Sequence, residues 1–373
     1  MKVVGVVGAG ISGLVASTRL LERSPGLQVV ILEWGRGPGG RTARKRVPLP
    51  SGAEVSFDHA TPFFCAHTRK FRELLSGWEA AGVALRWPEA GADVWVGHPT
   101  NNAIARSLVS GVEAAGGEVR FGHHVRSARY EAGAWHVRAE ERATGAAVDF
   151  AFDALLLSDK LLVLPNEYSV LQAESVGPLA LPARLASSSA IVLLVACTAL
   201  SSHAPLVRPE VPASIRLIVT DSLKPGTGRQ RADGLAIYVA HSTNAYAEAH
   251  LAGDTIDDAS SVLEEMLRDF KSAMALPPWA EISTASGGYA NVFLWDHAQP
   301  TADSTLPEAY RLDAGRRLGL CGDFFRSGGA GVDGANVQGV EAAALSGLAV
   351  ADALAPLLQD GRQGTDELPD CTL

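Results

Sequence analysis

Three glycines and one acidic residue near the N-terminus have the types and the spacing that dinucleotide binding requires. The glycines are Gly8, Gly10 and Gly13, and the acid is Glu33, which follows Gly13 by twenty residues. Gly8 permits a sharp turn, Gly10 lets the backbone approach a pyrophosphate, and Gly13 permits close packing of a helix on a strand. Glu33 is placed to accept hydrogen bonds from ribose hydroxyls, so the pattern predicts a dinucleotide site.

A second glycine-rich segment follows directly, with the order Arg36-Gly37-Pro38-Gly39-Gly40-Arg41-Thr42. Its glycines permit another close approach of the backbone, and either arginine would balance phosphate charge. The alternative is a solvated basic face that is formed by Arg41, Arg44, Lys45 and Arg46.

The elements around these loops follow a strand, turn, helix and strand order. Residues 3–7 and 29–32 are short apolar runs typical of strands, and residues 14–21 between them have helical character, which completes a βαβ unit. Further helices are predicted at 71–81, 102–115, 257–275 and about 337–357. Antiparallel strands are predicted at 119–121, 124–130 and 135–139, a returning strand at 153–158, a second sheet from 186–220 and 235–242, and a late strand at 318–321.

Composition restricts the class of protein. The 373 residues carry a net charge of −9, with 47% hydrophobic and 20% charged residues, which predicts two joined globular domains and argues against a nucleic-acid surface. The four cysteines are isolated, so no metal site is predicted and a reducing compartment is expected. Without a membrane-length apolar run or a signal peptide, we expect no membrane span and a cytoplasmic protein, with an organelle open if a presequence was removed. The oligomeric state stays open.

Five stretches together resemble the flavin-dependent amine oxidase superfamily of FAD proteins, and more closely its renalase-like branch, over about residues 1–355. They are Gly8 to Gly13 with Glu33, Gly37 to Arg41, Phe57 to Phe64, Trp295 to Pro300, and Gly322-Asp323 with the helix after Asn336. The segment from Gly97 to Asn102 also points to the branch.

The resemblance implies an α/β fold, with a Rossmann-like FAD-binding domain of the GR2 type and an inserted α+β substrate domain on a mixed sheet. We expect residues 1–60, 98–160 and 312–357 to form the discontinuous FAD-binding domain. Residues 61–97 and 161–311 would form the substrate domain, and 358–373 a polar tail.

The resemblance also implies which residues hold a non-covalent FAD. The Gly8 loop and Glu33 would hold the pyrophosphate and adenosine ribose, Val125 would contact adenine, and Asp323 would bond the ribityl chain or phosphate. The start of the last helix would face the flavin pyrimidine ring, where a helix N-terminus stabilises developing negative charge. The full expected set is Gly8, Gly10, Ile11, Ser12, Gly13, Glu33, Trp34, Arg36, Gly39, Gly40, Arg41, Thr42, His59, Ala60, Thr61, Val125, Gly322, Asp323, Asn336, Val337 and Gln338.

The chain departs from the renalase-like pattern where substrate would meet flavin. Ala60 stands in place of the usual glycine and Pro62, after Thr61, in place of the usual glutamine. His297 stands in place of a tyrosine. The expected catalytic residues are His59, Phe64, Trp295 and His297, and Phe63 and Asn101 are further candidates for the site walls. Asp58 is expected to orient the His59 ring.

The implied reaction is hydride transfer from a small substrate to flavin N5, with reoxidation by dioxygen. A reduced nicotinamide dinucleotide or an isomer is the favoured donor, because such a transfer needs no general base. An amine or polyamine oxidase is less favoured because no lysine follows Lys271. A catalytically quiet FAD-binding assembly factor stays open as a third alternative.

Overall fold

The computed structural model describes residues 1–182, 185, 187–198, 204–209, 214–226, 234–276, 282, 287–300, 305–325 and 339–359. Within these residues the α-helices are α1 (Ile11–Arg23), α2 (Arg69–Ala80), α3 (Asn102–Ala114), α4 (Ala173–Val176), α5 (Asn244–Ala249), α6 (Ala259–Ala273) and α7 (Gly339–Leu358). The strands are β1 (Val3–Val7), β2 (Gln28–Glu33), β3 (Lys45–Pro48), β4 (Glu54–Phe57), β5 (Phe64–Cys65), β6 (Ala84–Arg86), β7 (Val94–Gly97), β8 (Glu118–Phe121), β9 (His123–Glu131), β10 (Ala134–Glu141), β11 (Ala147–Phe152), β12 (Ala154–Leu157), β13 (Ser187–Thr198), β14 (Leu206–Val207), β15 (Ile215–Thr220), β16 (Leu235–Ser242), β17 (Leu251–Ala252), β18 (Thr255–Ile256), β19 (Tyr289–Pro300), β20 (Arg311–Asp313) and β21 (Leu318–Leu320).

The nucleotide-binding part is built on a six-stranded sheet in the order β20-β21-β12-β1-β2-β8. Strands β21, β12, β1, β2 and β8 run parallel, and β20 is antiparallel to β21. From β1 the chain goes to β2 on one side and later returns as β12 on the other. In open parallel sheets of this kind, ligands bind in the crevice at the carboxyl edge where the strand order reverses.

Both faces of this sheet are covered, because its strand residues alternate between two apolar clusters. Val4, Val6 and Ile31 face the cluster that contains α1, α3 and α7. Val7 and Leu155 face the cluster that contains the three-stranded antiparallel sheet β9-β10-β11. Such burial of both faces is typical of parallel sheets and explains the near-continuous apolar runs of β1 and β12.

Two predictions about strand pairing are wrong. Residues 119–121 lie in β8, which pairs with β2 in the parallel sheet and does not join the antiparallel meander. The substrate sheet, which was expected to be mixed, has the order β14-β15-β16-β13-β19 and is antiparallel at every pairing in the described residues. Short apolar runs of this length carry no information about their partner strand, so the sequence predicted strands without their neighbours.

The five-stranded sheet is also covered on both faces. On one face it packs against α6 through Val262, Met266 and Phe270. On the other face Val192, Leu194 and Val239 pack against the β3-β4 hairpin, and Leu217 and Val219 pack against the small sheet β5-β7-β6. Residues 58–63 connect these two covers, and they therefore cross the face of the sheet that looks toward the nucleotide-binding part.

The last helix, α7, comes from the far end of the chain and packs into the nucleotide-binding part. An added Cβ at Gly347 of α7 would lie 2.3 Å from the Ser12 carbonyl oxygen of α1, so the two helix backbones are in close contact. α7 is long and apolar enough to cross a membrane, with a mean hydropathy of 1.5. Val340, Ala344 and Leu354 of α7 are buried in the same core cluster as α1.

Candidate functional site

The glycine loop between β1 and α1 forms an open helix N-terminus at the carboxyl edge of the parallel strands. Gly8 has a φ of +102°, a conformation that favours glycine. An added Cβ at Gly13 would lie 2.2 Å from the Gly8 carbonyl oxygen, whereas one at Gly10 would meet no atom within 4 Å. Gly10 is the N-cap of α1 and no side chain caps it. The amides of the first turn, which include Ile11 and Ser12, are therefore available to an anion such as a phosphate.

Glu33 ends β2 beside this loop. Its Oε2 accepts a hydrogen bond from the Ala9 amide at 2.7 Å, and its Oε1 accepts one from the Gly35 amide at 2.6 Å. Burial raises the pKa of the Glu33 carboxyl, and these two amide hydrogen bonds oppose that rise. Each carboxylate oxygen has a second acceptor position, so the group can bind ribose hydroxyls while it is anchored by the loop.

An aromatic shelf continues from Glu33. The Trp34 side chain is 50% exposed and stacks on His124, with ring centroids 4.4 Å apart and an interplanar angle of 17°. The centroid of the Tyr168 ring lies 6.0 Å from that of Trp34. Val125, which follows His124 on β9, is buried. The structure thus places the predicted Trp34 and Val125 in one region and adds His124 and Tyr168, which no sequence motif indicated.

The second glycine loop lies against the first. Gly39 has a φ of +114°, and its amide donates to the Ala9 carbonyl oxygen at 2.8 Å. Thr42 Oγ1 donates to the Gly39 carbonyl oxygen at 2.9 Å, and Asn102 Nδ2 donates to the Pro38 carbonyl oxygen at 2.6 Å. Arg36 is exposed and Gly40 is a neighbour of Gly10 across the loops.

Arg41 and Asp323 are paired with each other. The guanidinium donates to both oxygens of the Asp323 carboxylate, at 2.6 and 2.7 Å, and Arg41 Nη1 also donates to the Ala298 carbonyl oxygen at 3.1 Å. The prediction that Asp323 bonds the ribityl chain or phosphate, and that Arg41 balances phosphate charge, stays a prediction, and the pairing was not expected. It joins the second glycine loop to the chain after β21, where Gly322 has a φ of +155° and its amide donates to Ser346 Oγ.

Lys160 is a cation of this region that the sequence reasoning missed. It is 5% exposed, and burial lowers its pKa, while Asp323 and Asp159 raise it. Asn336, Val337 and Gln338 lie outside the described residues, and α7 begins at Gly339.

His59 and Trp295 come together although they are far apart in the sequence. Their ring centroids are 5.0 Å apart. Burial, together with the charge of Lys45, lowers the pKa of His59 to about 4, so its imidazole is neutral near pH 7. His59 Nδ1 is buried and forms no hydrogen bond of good geometry with the described residues, although the backbone of Ala43 and Phe57 interacts with the ring and opposes the lowering of its pKa. Ala60 and Thr61, which follow it, are half-buried. His297 is in β19, but its side chain lies outside the described part of the chain.

The expectation that Asp58 orients His59 is wrong. Asp58 Oδ2 accepts from Lys224 Nζ at 2.8 Å, and its Oδ1 accepts from the Asn101 amide at 3.0 Å. The Asp58 side chain therefore points into a buried ionic cluster and away from the His59 ring, because successive residues along an extended chain face opposite sides. Asn101 is fully buried, and its side chain bonds the Gly97 amide and the Thr61 carbonyl oxygen, so it supports the 58–61 segment and does not line a pocket.

Phe64 and Phe63 are also misassigned as site walls. Phe64 is 1% exposed and packs edge-on against Phe71 in the core beside α2. Phe63 is 4% exposed and belongs to the cluster around Trp87. Adjacent residues of an extended segment face opposite sides, and here the two phenylalanines are buried in two different apolar clusters.

Comparisons with known proteins agree with this architecture. Residues 6–78 match the family described as NAD(P)-binding Rossmann-like domain. A protein assigned as a protoporphyrinogen oxidase from Exiguobacterium sp. 255-15 superposes with a TM-score of 0.64 at 11% identity, over 95% of this chain and 99% of that one. An oxidoreductase from Methanosarcina mazei superposes with a TM-score of 0.57 at 15% identity, over 94% and 100%.

Aklavinone-11 hydroxylase, solved with FAD and aklavinone, superposes with a TM-score of 0.52 at 15% identity, over 96% of this chain and 63% of that one. At sequence identities this low, the structural likeness shows a shared fold alone. The predicted α/β class with a Rossmann-like domain is confirmed, and the chain has the fold that these three proteins share.

Proposed function

We propose that this protein is an oxidoreductase that binds FAD without a covalent bond and oxidises a small substrate. The observation that carries the proposal is the surface around the uncapped N-terminus of α1 at the carboxyl edge of the parallel sheet, with Glu33 and Trp34 beside it. Arg41 of the second glycine loop bonds the Ala298 carbonyl oxygen of β19, the strand that carries Trp295 and its contact with His59.

The residues of this surface fit each chemical part of FAD. The space in front of Gly10 and the free amides of α1 suit a pyrophosphate. Glu33 supplies acceptors for ribose hydroxyls, and the exposed face of Trp34 offers stacking to an adenine. The buried His59 Nδ1 suits a polar atom of the isoalloxazine ring or of the substrate. Among the neighbouring folds, FAD is present in the aklavinone-11 hydroxylase structure.

Bound FAD would supply the hydride acceptor at N5 and a route for the electrons to dioxygen. The chain's own part is to position the substrate beside the flavin. His59 has a pKa of about 4 and is therefore neutral near pH 7, so it carries no positive charge in this role. A reduced nicotinamide dinucleotide or an isomer remains the proposed donor, as in the renalase-like branch. An amine substrate is disfavoured because Lys45 and Arg216, which flank His59 and His241, are cations without a carboxylate partner among the described residues.

The domain division belongs to the same proposal. We assign FAD binding to residues 1–60, 98–160 and 312–357, and substrate binding to 61–97 and 161–311. The placement of β8, β12, β20 and β21 in one sheet supports the first set, and the separate sheet of β13 to β16 with β19 supports the second.

The substitution Gly10→Val tests cofactor binding. Since no atom lies within 4 Å of an added Cβ and the φ of Gly10 is −74°, valine fits the free protein but projects into the space proposed for pyrophosphate. We expect Gly10→Val to keep its far-ultraviolet circular dichroism and to lose the visible flavin absorption after reconstitution with FAD. Gly111→Val, at an open and exposed position of α3, is the control and should retain the flavin.

Anaerobic bleaching of the FAD-loaded protein tests the reaction. Reduced nicotinamide dinucleotides should bleach the flavin absorption, and benzylamine and spermine should not. A wild-type protein that takes up no FAD would overturn the proposed function. Bound FAD that no compound of the panel reduces would instead favour the catalytically quiet alternative.

A further inference from the structure

A buried histidine lies under the segment that crosses the substrate sheet. His241 of β16 is 1% exposed, and its Nε2 lies 2.8 Å from the His59 carbonyl oxygen. Because a carbonyl oxygen can only accept, Nε2 carries the proton and Nδ1 is an acceptor. Nδ1 is buried and has no partner among the residues that the structure describes. A buried acceptor without a partner is costly, so this atom is suited to a donor other than those of the described residues.

One cation lies near His241 and a second lies near His59. Arg216 Nε donates to the Ser242 carbonyl oxygen at 3.0 Å, while its Nη2 is buried without a partner in the described part of the chain. The Lys45 ammonium lies over the Phe293 ring, 4.3 Å from the centroid. The charge of Arg216 acts on His241 and that of Lys45 acts on His59. The planar guanidinium presents donors that match the geometry of a carboxylate or a phosphate, so a half-buried arginine with a free donor is suited to bind an anion.

The carboxylates of the surrounding elements are engaged elsewhere. Asp58 and Asp221 both pair with Lys224. Asp296 accepts from Ser189 Oγ at 2.8 Å, and Asp269 accepts from the amide and hydroxyl of Ser214. Within the described residues, none of these groups forms an ion pair with Arg216 or Lys45, so the positive charge of the two side chains is uncompensated there.

Aromatic side chains form the rest of this surface. His241, Val192 and Phe293 occupy one cross-strand row, since His241 pairs with Val192 and Val192 pairs with Phe293. Two strand separations, about 10 Å, therefore separate His241 from Phe293, and the buried Val192 lies between them. Phe293 and Trp295 are half-buried, and Trp295 also contacts His59.

We infer that the surface of Lys45, His59, Arg216, His241, Phe293 and Trp295 binds a substrate made of a planar ring attached to an anionic group. The aromatic side chains take the ring, Arg216 and Lys45 take the carboxylate or phosphate, and His241 Nδ1 accepts from a hydroxyl or N–H of the ligand. The inference rests on the proposed function for its place beside the flavin and specifies the substrate class of that site.

Matched pairs of ligands isolate the anionic group. Benzoate is compared with benzamide, and reduced nicotinamide mononucleotide with reduced nicotinamide riboside, which lacks only the phosphate. Binding is measured by anaerobic calorimetry on the FAD-loaded protein whose flavin has first been reduced with dithionite, so that no hydride transfer contributes heat. We expect the charged member of at least one pair to bind about tenfold more tightly than its neutral partner. Preference in the first pair alone identifies a carboxylate, and preference in the second alone identifies a phosphate.

Variants connect this preference to the named cations. Arg216→Gln and Lys45→Gln should each reduce the preference, and Arg216→Lys should restore part of it because the charge is kept. Arg46→Gln is the control. Arg46 is the exposed neighbour of Lys45 on β3, so this substitution removes the same charge from the other side of the strand. The FAD absorption of each variant reports that the fold and the cofactor site are intact.

Two results would overturn the inference. One is equal affinity within both ligand pairs on a protein that holds FAD, which leaves the proposed function standing. The other is a charge preference that survives both Gln substitutions or is lost equally in Arg46→Gln. Failure of the wild-type protein to take up FAD is read separately, from the visible spectrum, and bears on the proposed function alone.

Discussion

At the scale of single residues, the neutral state of His241 is a consequence of where its ring lies. Burial and the nearby charge of Arg216 lower the pKa of His241 to about 3. In the unfolded chain the same group has a pKa of about 6.5. Between these values the unfolded chain binds a proton that the folded protein does not bind. The stability linked to this group is therefore complete above pH 6.5 and is lost as the pH falls toward 3.

This linkage predicts how stability depends on pH. Between pH 6.5 and 4, the contribution of His241 should lower the free energy of unfolding by up to about 1.4 kcal/mol for each unit by which the pH falls. His59, with a pKa lowered to about 4, adds a change of the same sign. In His241→Asn the slope should be shallower, as measured by urea unfolding at several pH values. The exposed His136 of β10 provides the control, and His136→Asn should keep the wild-type slope. An unchanged slope in His241→Asn would contradict the buried neutral imidazole.

Residues whose roles depend on local geometry were predictable from the sequence, and those that depend on distant strands were not. The turn at Gly8, the contact at Gly13 and the position of Glu33 follow from one βαβ unit. Arg216 and His241 carry no motif, and only the pairing of β15 with β16 brings them together. The same limit explains Asp58, whose partner Lys224 is 166 residues away.

At the scale of elements, the contact with α7 holds α1 in place, and the N-terminus of α1 forms part of the proposed dinucleotide site. The predicted boundaries of the last helix, about 337–357, agree with α7 to within two residues, because its apolar composition is a strong local signal. The close approach at Gly347 is not such a signal. It depends on Ser12 and Ala16 of the first helix, which lie at the opposite end of the sequence.

Gly347 tests this contact. A Cβ there would lie 2.3 Å from the Ser12 carbonyl oxygen and 3.2 Å from the Ala16 amide nitrogen, and both are backbone atoms that cannot move without displacing α1. We expect Gly347→Ala to lower the free energy of unfolding by about 1–3 kcal/mol and to weaken FAD binding. Gly77→Ala, at an open position of α2, should instead leave the protein as stable as wild type or slightly more stable. Equal stability of the two variants in urea would show that α1 and α7 do not pack this closely.

At the scale of the whole molecule, a buried ionic cluster joins the two halves. Lys224, which follows β15 of the substrate sheet, pairs with Asp58 from the segment after β4 and with Asp221. All three side chains are at most 5% exposed. Since Asn101 at the start of α3 also donates to Asp58, the cluster links the substrate sheet to the nucleotide-binding half. The two parts should therefore unfold together, as the discontinuous domain division also implies.

The cluster predicts unequal effects of removing its members. Lys224→Met leaves two buried carboxylates without their cation and should cost about 3–5 kcal/mol. Asp58→Asn should cost less, because Lys224 keeps Asp221 and the Asn101 amide keeps an acceptor. Urea unfolding, followed by tryptophan fluorescence and by flavin absorption, measures both. The two signals should change in one transition in every variant, and the exposed Lys70→Met should behave as wild type. If Asp58→Asn were the more destabilising change, or if the two signals separated in the wild-type protein, the cluster would not be the link between the halves.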